Sequence, residues 1–165
     1  MLRQSLVVLL AVSVLSGGVI FWKYWNLAET PYEALSKGQY ARAVELLDEP
    51  ALKGSVKAQV MLGNLHYTGL GVEQSYAEAA HWYEQAGMQG NAGAQYNRAL
   101  IYNQSGEDEK DLIAATAWFL LADAGGNPHA EIFLRSLSGS LNPNMIQQAH
   151  RLQEKLSRQI GGADS

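Results

Sequence analysis

The groups in this chain that could do chemistry are four histidines, a short acidic run and one Gly-x-Gly turn. His66, His81, His129 and His150 form no H-x3-H pair and no H-E-x-x-H, the spacings that turn two imidazoles toward one zinc ion. Glu107-Asp108-Glu109 lacks the alternating oxygen ligands of an EF-hand loop and reads as a solvated turn. Gly69-Leu70-Gly71 lies between two helical stretches, so it reads as a turn rather than a phosphate cradle. No G-x-S-x-G, Walker or dinucleotide motif occurs. Carboxylates are scattered, with no pair spaced for acid–base work. The chain has no cysteine, which removes thiolate ligands, a Cys nucleophile, disulfides and a lipid-modified anchor together. The expectation is a protein with no catalytic residue, no metal site and no cofactor.

Charge narrows the partners. All sixteen acidic residues and ten of the twelve basic ones lie after position 26, a net of −6 for that part. Such a chain has no electrostatic basis for holding nucleic acid, and no basic stripe is visible. Protein partners are expected, with neither nucleic acid nor a small-molecule substrate.

What organises the sequence is a period. Gly54-Ser55, Gly90-Asn91 and Gly126-Asn127 recur every 36 residues, followed in the same register by Ala58, Ala94 and Ala130. Gln59 aligns with Gln95, Ala79 with Ala115, Trp82 with Trp118, Tyr83 with Phe119 and Ala86 with Ala122. A fixed period of this length marks stacked copies of one supersecondary unit. The glycine column suits a left-handed helix stop, and the Ser or Asn after it suits the next N-cap. Thr30 with Glu33 and Ser75 with Glu78 fit capping boxes. Asn142-Pro143 and Asn127-Pro128 place proline at the first helical position. Between stops the spacing is helical: Ala58, Leu62, Gly63 and His66 share one face, as do Ala79, Trp82, Tyr83 and Ala86.

Ala58-x3-Leu62-Gly63-x5-Gly69-x-Gly71-Val72, continued by Ala79-x2-Trp82-Tyr83-x2-Ala86-x3-Gly90-x3-Ala94, resembles the Sel-1-like repeat. That family belongs to the tetratricopeptide-like helical solenoids. The resemblance implies an all-α fold: a short α-solenoid of antiparallel helix hairpins. It places full repeats at 58–93 and 94–129, partial repeats at both ends, and a closing helix at 142–160 with a disordered tail at 161–165. The second copy departs from the pattern. Arg98 stands in a buried Leu column and Asp123 in the column of Gly87. A guanidinium on a buried face needs an acceptor, so an Arg98–Asp123 ion pair is expected, with the alternative that Arg98 extends its head to solvent beside the acidic 107–109 turn.

The resemblance also implies scaffolding, with first helices lining a concave groove. On the face opposite Ala58 and Leu62 stand Val60, Met61, Asn64 and Tyr67, and in the next copy Tyr96, Asn97, Leu100 and Asn103. Apolar and aromatic groups rimmed by Asn mark partner surfaces, so these eight residues are the expected partner-binding site. The competing reading has neighbouring helices covering them.

The N-terminus differs in kind. Residues 5–25 are long and apolar enough to span a bilayer, and Trp22-Lys23-Tyr24-Trp25 suits its interface. Ser16-Gly17-Gly18 is a poor signal-peptidase site. Residues 1–28 are therefore read as a transmembrane anchor ahead of a repeat domain at 29–160, with a cleaved signal sequence as the alternative. Arg3 before the segment favours a cytoplasmic N-terminus and repeats in the periplasm of a bacterial inner membrane. The expected function is a membrane-tethered scaffold, an accessory subunit of an envelope assembly. The alternative is a secreted repeat protein binding an extracellular or host partner.

Overall fold

The computed structural model describes residues 29–105 and 108–162, with the backbone of 13–15 and 18–20. Eight helices occupy the described residues after position 28: α1 (Pro31–Ser36), α2 (Tyr40–Leu52), α3 (Val56–Thr68), α4 (Tyr76–Met88), α5 (Ala92–Ser105), α6 (Glu109–Ala124), α7 (Ala130–Leu137) and α8 (Pro143–Gly161). Each of α1 to α6 packs on the next, and α8 returns onto α6 and reaches α4. This is an all-α solenoid, as the period requires.

The repeated columns become repeated bonds. Gly54, Gly90 and Gly126 have φ of +90°, +85° and +81°. After each, the next residue's N–H reaches back into the ending helix: Ser55 to the Pro50 carbonyl at 3.0 Å, Asn91 to Ala86 at 3.2 Å, Asn127 to Ala122 at 2.8 Å. These bonds satisfy carbonyls that a helix end leaves open. Ser55 and Asn91 then cap α3 and α5 by accepting the N–H groups of Ala58 and Ala94. Thr30 and Glu33 form the full capping box on α1. Ser75 accepts Glu78 N–H on α4, and Asn142 accepts Met145 N–H on α8.

Large-against-small packing builds the core. A Cβ at Gly63 would sit 2.6 Å from the Tyr83 ring, so the missing side chain lets that ring lie flat against α3. One period later Ala99 and Phe119 are both fully buried. In the closing helix, Met145 and Ala149 pack with Ile113 and Ala117, and Leu156 and Ile160 pack beside Trp118 and Leu121.

Four expectations need restating. First, the transmembrane segment expected over 5–25 lies mostly outside the described residues, and the described ones form two short strands, β1 (Ser13–Leu15) and β2 (Gly18–Ile20), paired antiparallel with Val14 opposite Val19. Among the described residues no helix is long and apolar enough to cross a membrane. Val14, Val19 and Ile20 are β-branched, and Gly17 and Gly18 weaken a helix. The rest of that segment lies outside the described residues. Second, Asn127 does not cap α7. Its Oδ1 accepts His129 N–H at 3.0 Å in a local turn, and the helix starts three residues later at Ala130. Third, Gly161 belongs to α8, so the expected disordered tail at 161–165 begins too early; 163–165 lie outside the described residues. Fourth, Arg98 pairs with Glu84 at 3.3 Å rather than with Asp123, which is exposed. Arg98 points back toward α4, one turn before the end of which Glu84 projects. Asp108 caps α6 through Asp111 N–H, so the acidic run is a helix start; Glu107 lies outside the described residues.

Candidate functional site

Two clefts open on the face shared by α1, α3 and α5. The first, about 220 Å³, is lined by Asn64 and Tyr67 of α3, Tyr83 of α4, and Asn97 and Leu100 of α5. The second, about 400 Å³, is lined by Tyr32, Val56, Lys57, Val60, Met61 and Asn91. Of the eight residues expected from the sequence, four meet in the first cleft and two in the second. Tyr67 and Leu100 are half-buried, as are Val60 and Met61. Both exposed and covering roles are therefore present: each side chain leans on the core and leaves an edge to solvent.

Tyr96 and Asn103 are not brought to either cleft. Tyr96 turns into an aromatic cluster, 5.6 Å from Phe119 and 5.6 Å from Phe133 by ring centroids. Burial raises its hydroxyl pKa. Helical spacing placed Tyr96 beside Asn97, but one residue is about 100° of rotation, enough to aim it at α7 instead.

Tyr83 was read as a core residue, and it is one, at 3% exposed. Its hydroxyl nevertheless reaches the cleft floor and donates to Asn64 Oδ1 at 2.7 Å. Burial pushes the Tyr83 hydroxyl pKa well up, proximity to Tyr67 adds to the rise, and a hydrogen bond from Asn97 opposes it. Gly63 was the sequence signal, since a glycine under a tyrosine lets the ring pass across the helix to the far side. Tyr67 accepts a bond from Gln104 Nε2 at 2.7 Å and stands 5.3 Å from the exposed Tyr76 ring. In the second cleft Lys57 Nζ lies 4.3 Å over the Tyr32 ring, a cation–π contact.

A wider depression of about 580 Å³ lies where Glu29, Tyr40 and Arg42 meet Gly71. Its charges serve one another: Glu29 pairs with Lys37 at 3.2 Å and Arg42 at 3.5 Å. Among the described residues no three His, Asp or Glu groups gather to hold a metal ion.

The arrangement offers amide and phenol groups over aromatic walls. In comparison with known proteins, the Sel1 repeat model matches residues 56–91 and 92–127. The chain carries two Sel1 repeats. Both share the 36-residue period and begin at the first turns of α3 and α5. Among curated proteins, human protein sel-1 homolog 2 is 33% identical over 94 residues, which is 56% of this chain and 14% of the human one. The mouse protein of the same name is 30% identical over 96 residues, 57% of this chain and 14% of that one. The chain thus matches a small part of those relatives' length. Among solved structures it is similar to a protective antigen of uropathogenic Escherichia coli with an SLR fold, with TM-score 0.69, 28% identity, and cover of 79% of this chain and 29% of that one. It is also similar to a Sel1 repeat protein from Oxalobacter formigenes, with TM-score 0.59, 26% identity, and cover of 76% and 54%. A solenoid carrying Sel1 repeats is consistent with a scaffold for protein–protein contact.

Proposed function

We propose that this Sel1-repeat chain holds a partner protein on the α1–α3–α5 face, close to a membrane, as an accessory subunit of a bacterial envelope assembly. One observation carries the docking part. Asn64, Tyr67, Asn97 and Leu100, drawn from two successive repeats, converge on one cleft with the Tyr83 hydroxyl at its floor. A solenoid surface built from repeated units is the usual seat of partner binding in such folds. The two solved structures named above are bacterial proteins, which supports the bacterial setting. The apolar run at 5–25 and its Trp/Tyr flank support the membrane setting.

The secreted alternative rests on the same N-terminal segment being removed. Intact mass of the natively expressed protein separates the two. A full-length product that stays with membranes through an alkaline carbonate wash fits the tether. A product shorter by about 18 residues in the medium fits a cleaved signal sequence and sinks the tether.

A further inference from the structure

We draw no further inference here: the strongest candidate, the apolar cleft between α1 and α3 where Lys57 lies over the Tyr32 ring, belongs to the docking face already described, and nothing in the structure shows what covers it.

Discussion

Gln95 donates from its Nε2 to the carbonyl of Gly87 at 2.9 Å. One period earlier Gln59 makes the same bond to Ala51 at 3.0 Å. Each glutamine is buried at 3% exposed, and each ties the start of one hairpin to the end of the helix before it. Gln59 also accepts from Gln89 Nε2 at 2.7 Å. The residue one period after Gln89 is Gly125, and Gln95 Oε1 is buried without a partner. Gln59→Ala should therefore cost more than Gln95→Ala. Buried hydrogen bonds of this sort contribute about 1 kcal/mol each, so the expected losses are about 2 and about 1 kcal/mol by urea denaturation. The reverse order would contradict the role given to Gln89.

The aromatic residues of the two repeats should separate by their effect on stability. Tyr96 packs against Phe119 and Phe133, so Tyr96→Ala should cost about 3 kcal/mol, the range for truncating a packed aromatic. Tyr67→Ala, at the cleft edge, should cost about 1 kcal/mol or less. Thermal unfolding of both single variants decides this. Similar losses would mean that Tyr67 is core and not available to a partner.

Arg98 sits at 11% side-chain exposure between Glu84 and the Tyr102 ring, 3.8 Å from the ring centroid. Glu84 is 46% exposed, so solvent screens the pair and its net contribution should be about 1 kcal/mol or less. Asp123→Ala should change stability by less than about 0.5 kcal/mol, as for a surface position. A double-mutant cycle on Arg98 and Glu84 measures the coupling. Coupling to Asp123 instead would restore the pairing expected from sequence.

Tyr83 gives the protein an alkaline limit. Its folded pKa is raised, mainly by burial, so the folded state keeps the proton after an unfolded tyrosine has lost it, above about pH 10. The unfolded state then binds fewer protons, and stability falls as pH rises beyond that point. Tyr83→Phe should flatten this decline while lowering stability near neutrality through the lost bond to Asn64. Denaturation midpoints at about pH 8 and about pH 11 are the readout. An equally steep alkaline loss in Tyr83→Phe would place the responsible group elsewhere.

Two glycines differ in why they are needed. Gly90 has φ +85° with an open surround, and only Ile160 lies near, at 3.9 Å. Gly71 has φ +80° and a Cβ there would land on the Tyr40–Ala41 peptide. Gly90→Val should cost about 1–3 kcal/mol from backbone strain. Gly71→Ala should cost more than Gly90→Ala, because α2 must also move. Equal losses for the two alanine variants would show that the contact relaxes freely.

The solenoid was legible because its signals are local. Glycine stops, caps and a large–small alternation repeat at one interval, and each acts within a helical turn. The cleft was half legible. Val60, Met61, Asn64 and Tyr67 lie on one face by rotation alone. Tyr96 escaped because a face is wide and α7 attracts its ring. Tyr83 escaped because a buried ring can still place its hydroxyl at a surface. Arg98 found Glu84 because its partner was set by the tilt of α4, which column alignment does not encode. The expectation for the N-terminal segment rests on hydropathy alone, and most of residues 5–25 lie outside the described ones.

Site-specific photocrosslinking in intact cells tests the central claim most directly. A benzophenone amino acid is placed at Tyr67 or Asn97 on the cleft, and at Gln147 on the exposed side of α8. The account predicts one discrete crosslinked protein from positions 67 and 97 and none from 147, with the product reduced by Asn64→Ala. Crosslinks to a partner from position 147 alone would place docking on the closing helix and contradict the account.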